Sequence, residues 1–250
     1  MNNISWLKKY FEENLLSKSD LRKYLELSSV VSVELDQELV FDLMVLVPDA
    51  VYNDEFRTMF GDYFVIDNQQ HAPPVFTRFK NHQWLRNDLS KRLPISLWIF
   101  GKSIIIQDPQ GLFKIIVGEH STTFHQNCVD IIRRKYIEFR SDRHNLRQAV
   151  YHDSQLAIQL LKANVIKLAM EIFILAHGKP YPYKKWLPAE ATKFDKGTEL
   201  ICSCNVFMSE MNRKQLIDLS DELVVRMVDI LGVTDMFSSN FLNQWWLHLD

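Results

Sequence analysis

The chain has 250 residues, of which 47% are hydrophobic and 12% aromatic, and it carries a formal charge of −2 at pH 7. That apolar content supplies a buried core and excludes a disordered chain. The near-neutral balance argues against a dedicated nucleic-acid binder, whose footprint is a marked excess of lysine and arginine.

In chain order, Ser5 is placed to cap a helix in which Trp6, Tyr10 and Phe11 recur at helical spacing. The polar SKSD (17–20) breaks it, and Asp20 is placed to cap a second short helix toward Leu27. Two β-rich runs follow, 29–35 and 39–47, separated by the polar DQE. A helix around 53–60 leads to the strands YFVID (63–67) and PPVFTRF (73–79). NHQWLRNDLSKRL has helical spacing, ISLWIF and SIIIQD read as strands, and DPQG (108–111) reads as a turn.

Beyond about residue 119 the pattern becomes helical, with helices expected over 122–139 and 145–177. Ile158, Leu161, Val165, Leu168, Ile172 and Leu175 step by threes and fours, which puts them on one helix face as a bundle core. HGKPYPYKKWLP (177–188) interrupts with glycine and proline, and further helices are expected over 209–231 and 235–248. The expected fold class is α+β: a mixed-sheet domain over 1–118, then an all-helical bundle over 119–250.

Several kinds of chemistry find no support. Cys128, Cys202 and Cys204 cannot all pair, and Cys202 and Cys204 lack the second ligand pair of a zinc site. His120 and His125 are five residues apart, off the spacing of four that suits a shared metal on a helix. No Walker loop, dinucleotide glycine fingerprint or hydrolase elbow is present. The N-terminal MNNISWLKKYFEENLL has acids where a signal peptide is apolar, and no apolar run reaches the ~20 residues of a membrane span. The expectation is a cytoplasmic protein with no membrane partner.

The stretch SSVVSVELDQELVFDLMVLV (28–47) carries the most chemical information. Its alternation alone is that of a β-hairpin. In register it also resembles nucleotidyltransferases of the polymerase-β superfamily, which place a Gly-Ser turn ahead of a strand bearing Asp-x-Asp. Ser28-Ser29 stands where Gly-Ser would, Asp36 matches an intervening acid, and VFD (40–42) stands where Asp-x-Asp would. Ser28 replaces the glycine and Val40 the first aspartate. Such a turn lets backbone N–H groups approach a triphosphate, and two aspartates one pleat apart hold magnesium from one strand face. LWIFGKSIIIQDPQG (97–111) and GKPYPYKKWL (178–187) resemble a bacterial group that joins a transferase domain to a helical one. That helical domain is related to those of antibiotic nucleotidyltransferases and HEPN proteins, and the likeness spans roughly residues 20 to 190.

The resemblance implies magnesium on Asp42 and a triphosphate held by Ser28 and Ser29, with Tyr183 and Lys185 reaching in from the helical domain. The third acid belongs on VFTRF, which offers Phe76, Thr77 and Arg78 instead; Asp67 is the nearest substitute. Trp186 and Leu187 are expected to be core anchors. The implied ancestral reaction is transfer of a nucleotidyl group from a nucleoside triphosphate to a hydroxyl of a small molecule or protein. With Val40 at a metal position that reaction is expected to be weakened or lost. One alternative is a non-catalytic regulatory module that binds a nucleotide or a partner. Another is a HEPN-like ribonuclease acting through Arg147 and His152, with four residues between them in RQAVYH. The basic run RRKYIEFRSDRHNLR (133–147) reads as a solvated helix face or as a face toward a phosphate-rich ligand. The acceptor, the nucleotide and the oligomeric state are not specified by any motif.

Overall fold

The structure, a computed structural model, describes residues 3–33, 41–70, 73–234 and 236–248. The chain divides into two compact units, Met1–Phe124 and His125–Asp250.

The first unit opens with α1 (Asn3–Tyr10), a wider π-type turn (Phe11–Leu16) and α2 (Ser19–Leu25). Ser5 lies inside α1 instead of ahead of it, and Asp20 sits in the first turn of α2. Strands β1 (Ser29–Val33) and β2 (Phe41–Val47) follow. Helical turns then run from 49 to 60 as α3 (Asp49–Val51), a π-type turn (Tyr52–Phe56) and α4 (Arg57–Phe60). They begin earlier than expected, because Pro48 stands just before the first turn and Asp49 complements its dipole. Strands β3 (Val65–Asn68) and β4 (Val75–Asn81) lead to helix α5 (His82–Ser90), which Asn81 caps through its side chain.

Helix α6 (Pro94–Gly101), strand β5 (Ile104–Gln107) and the 40-residue helix α7 (Leu112–Tyr151) complete this part of the chain. ISLWIF is therefore helical and not a strand. Pro94 pre-sets the first helical turn. Leu97, Trp98 and Phe100 are all buried, so the segment lacks the polar face that would have signalled a helix.

The five strands are ordered β3-β4-β2-β1-β5. The β2–β4 pair is parallel; β1–β2, β1–β5 and β3–β4 are antiparallel. One face of this sheet carries Leu43, Val45, Val47, Val75 and Phe79 into a core with Leu7, Tyr24 and Phe56. Phe56 meets Tyr24 edge-on at 5.2 Å and stacks on Phe79 at 5.3 Å between ring centroids.

A buried polar network pins the opposite face. The Ser29 hydroxyl lies 2.8 Å from His82 Nε2 and 2.8 Å from Asp108 Oδ1. A carboxylate only accepts, so Ser29 donates to Asp108 and receives the Nε2–H of a neutral His82. Asp108 also accepts the backbone N–H groups of Phe113 and Lys114 in the first turn of α7, at 3.3 and 3.2 Å. Gln107 donates to the Ser28 carbonyl at 2.9 Å. One network thus ties β1, α5, β5 and the start of α7. Burial pushes the pKa of His82 below its ordinary value, with Asp49 and Asp108 pulling the other way.

The second unit contains most of α7, then α8 (Gln155–Ala176), a 3-10 turn (Lys184–Trp186), α9 (Leu187–Ala191), α10 (Gly197–Ser209), α11 (Arg213–Val233) and α12 (Ser239–Asn243). The gap expected between 139 and 145 does not interrupt α7; the break comes at Asp153, whose φ is 55°. Helix α10 has no counterpart in the sequence expectation, and 235–248 reduces to α12 and a 3-10 turn (Trp245–His248). Ile158, Val165, Leu168, Ile172 and Leu175 are buried as their spacing requires. Glu171 is buried among them, paired with Lys135 at 2.6 Å. Trp186 is only half-buried, whereas Tyr181 and Leu187 are buried. The core anchors of YPYKKWL are therefore its first tyrosine and its leucine. Leu187→Ala is expected to cost about 2–5 kcal/mol in urea unfolding, and Trp186→Ala clearly less.

His82 gives the fold a pH dependence with a definite sign. Unfolded His82 takes up a proton near pH 6.5, while the folded imidazole resists it. Stability is thus highest above about pH 6.5 and falls as the pH drops toward the folded value. Between pH 7.5 and 5.5 the melting temperature of wild type should fall more than that of His82→Gln, which keeps a neutral donor. Equal slopes would show that His82 is not the titrating group.

Candidate functional site on the sheet

The sheet register decides which polar residues meet. Val33 pairs with Asp42, Asp42 with Phe76, and Phe76 with Asp67. Asp42 and Asp67 therefore share one row and one face, with Phe76 of β4 standing between them. Two strand spacings separate their backbones by roughly 10 Å. Asp67 is exposed and accepts a hydrogen bond from Gln69 Nε2 at 2.9 Å.

One pleat beyond Phe76, Arg78 forms an ion pair with Asp42 through Nη2 and Oδ2. The pair is asymmetric: the Asp42 side chain is 16% exposed and that of Arg78 is 52% exposed. Asp42 Oδ1 is buried without a hydrogen-bond partner among the described residues. Burial raises the Asp42 pKa, while the Arg78 charge and hydrogen bond oppose the rise. The guanidinium thus does for Asp42 what a bound cation would do.

Magnesium can be tested against this donor set. Among the described residues no group of three or more His, Cys, Asp or Glu side chains is placed to hold a metal ion. The strand beside Asp42 presents an aromatic ring and a cation, and Asp42 already has its counter-charge. These residues do not fit a pair of divalent cations, which needs convergent carboxylates. Val40 and Asp36 lie outside the described residues.

Ser28 and Ser29 lie at the other end of β1. Ser29 pairs with Leu46, and Val33 pairs with Asp42, so four residues of strand, about 13 Å, separate Ser29 from the Asp42 row. Both serines are buried. The Ser28 hydroxyl donates to the Tyr24 carbonyl at 2.7 Å, and that of Ser29 is held in the network with His82 and Asp108.

In the second unit Tyr183 and Lys185 are exposed, and Lys185 Nζ lies 3.9 Å from the centroid of the Trp186 ring. Arg147 lies 3.7 Å from Asp221 of α11. His152 follows the end of α7, exposed, with its ring 5.1 Å from that of Tyr151. Arg147 is thus engaged on α11, while His152 lies past the helix end. Cys204 is buried with its thiol pushed up to about 12, and Cys128 likewise to about 11. A cleft of about 880 Å³ runs along α11, lined in part by Phe173, His177, Glu199, Asp218, Asp229 and Val233. Asp218 and Asp229 lie on α11, and Glu199 of α10 is answered by Arg226 at 3.4 Å.

His82, Asp108 and the partnership of Arg78 with Asp42 carry no sequence signal of their own. A residue count along antiparallel β1 and β2 does show that Ser29 and Asp42 are too far apart to share a ligand atom.

No family model matches the chain, and no curated protein matches it. Among solved structures, a nucleotidyltransferase-like protein from Exiguobacterium sibiricum is similar, with a TM-score of 0.51 and 13% identity. The match covers 91% of this chain and 78% of that one. At such identity the likeness is one of fold. The chain has a nucleotidyltransferase-like α+β fold, a mixed five-stranded sheet with helices, followed by a helical C-terminal region.

Proposed function

We propose that this chain is a nucleotidyltransferase-like protein that has lost metal-dependent nucleotidyl transfer and serves as a binding module for a nucleotide or a protein partner. The observation that carries this reading is the ion pair of Asp42 with Arg78. A carboxylate that must hold a divalent cation cannot at the same time be neutralised by a fixed guanidinium from the next strand. The neighbouring positions support it, because Phe76 and Arg78 occupy the strand on which a further acid is expected. The turn hydroxyls of Ser28 and Ser29 are also committed to internal acceptors. Exposed groups remain on both units: Arg78 on the sheet, and Tyr183 and Lys185 on the helical half.

The test is incubation with labelled nucleoside triphosphates, magnesium or manganese, and a panel of small-molecule and protein hydroxyl acceptors. No label should be transferred above the protein-free blank. Robust transfer by wild type that disappears in Asp42→Ala would overturn the reading and show that other acids complete the site.

A further inference from the structure

The ion pair on this face has a direction. Its carboxylate is set into the sheet and its guanidinium faces water, at 16% and 52% side-chain exposure. From the solvent side this place therefore presents a positive charge that is held in position by a buried negative one. Arginine has five N–H donors in a planar fork, and Asp42 contacts it through Nη2, which leaves donors for a second acceptor. Lys80 lies one pleat further along the same face of β4, half-buried, its Nζ 3.4 Å from the Asp62 carbonyl oxygen. Two residues of strand set the two cations about 7 Å apart in backbone terms.

Resting on the non-catalytic reading above, we propose that Arg78, with Lys80 beside it, binds the triphosphate group of a nucleotide or a free polyphosphate without magnesium. The chemistry favours the uncomplexed ligand. A planar guanidinium donates paired hydrogen bonds to phosphate oxygens, and it competes with a divalent cation for the same oxygens. Magnesium on the ligand lowers the negative charge that attracts Arg78, and the neutralised Asp42 offers the metal nothing in exchange. Two anions work against binding. Asp42 shares the guanidinium, and Asp67 lies in the Phe76 row of the same face. Removing the Asp42 charge frees the arginine and removes the nearer repulsion, so Asp42→Asn should strengthen binding, the opposite of what a metal ligand would do.

Calorimetry on the full chain decides the matter, with ATP and inorganic tripolyphosphate each titrated in EDTA and again in excess magnesium. Both ligands should bind in EDTA, and magnesium should weaken each several-fold. Arg78→Ala should weaken binding at least about ten-fold, the loss of one charge-assisted contact. Asp42→Asn should tighten it. ATP binding tighter than tripolyphosphate identifies a nucleotide ligand, and equal binding identifies the polyphosphate group as sufficient. Binding that requires magnesium, an absence of binding in EDTA, or weaker binding in Asp42→Asn overturns the proposal. If Arg78→Ala does not fold, the Asp42→Asn result still decides it. Nucleotidyl transfer in the separate labelled assay would overturn the non-catalytic reading, whereas failure of metal-free binding overturns this inference alone.

Discussion

The parallel pairing of β2 with β4 is the constraint on which the first unit depends. Seven residue pairs, from Phe41 with Val75 to Val47 with Asn81, hold the two strands in register. Parallel neighbours cannot be joined by a tight turn, so the chain must leave the sheet between them. It does so through the helical turns of 49–60 and then β3, which returns antiparallel to β4. That excursion brings Phe56 and Phe60 over the sheet, where Phe56 lies 4.8 Å from Phe60 and 5.3 Å from Phe79. The register is enforced by burial. A slip of one residue would turn Phe79 out to water and Arg78 into the core. The same register delivers Phe76 beside Asp42 and Arg78 one pleat on.

This dependence separates what could be read in the sequence from what could not. The strands 29–33 and 41–47, the VFTRF strand and the helical second half follow from local alternation and spacing, as does the α+β class. The buried stripe from Ile158 to Leu175 follows from helical period alone. The helix 94–101 was illegible because a segment buried nearly all round shows neither period. The continuity of α7 was illegible for the opposite reason: its polar residues Asp142 and Arg143 are met by Asn164 of α8 and Asp221 of α11, partners that local sequence does not show. Asp42 was visible as a carboxylate on a strand. Its partner is 36 residues away and meets it only through the pairing of β2 with β4. The Ser29 network has the same character, joining residues 53 and 79 apart in sequence. Pairings of that kind are set by tertiary register, and a single sequence carries no mark of them.

The two polar devices of this unit differ in what they do for stability. His82, Ser29 and the Asp108 carboxylate close a network whose central hydroxyl is fully used, and Ser29 and His82 lie where water cannot replace a lost partner. Breaking it leaves a buried donor or acceptor unmet, which costs about 1–3 kcal/mol per group. The Asp42–Arg78 pair sits with its cation half in water. A pair exposed on both sides contributes of order 0–1 kcal/mol, whereas here the main effect of the cation is to offset the burial of Asp42. Its presence is therefore poorly explained as a strut, and better explained by what Asp42 needs.

A strand alternates its side chains between faces, so the two faces of β2 answer to different demands. Leu43, Val45 and Val47 fill the core and hold the fold whatever occupies the other face. Asp42 lies on that other face, where burial of its carboxylate is costly without a nearby positive charge. In a metal-binding sheet the divalent ion supplies that charge. Here the neighbouring strand presents Phe76 and Arg78 and no acid beside Asp42, so the buried aspartate requires a cation from the protein itself or must become neutral. Arg78 meets the requirement from within the chain, and it does so without touching the core face. Core face and polar face are thus satisfied separately, the first by apolar packing and the second by an ion pair that the β2–β4 register supplies.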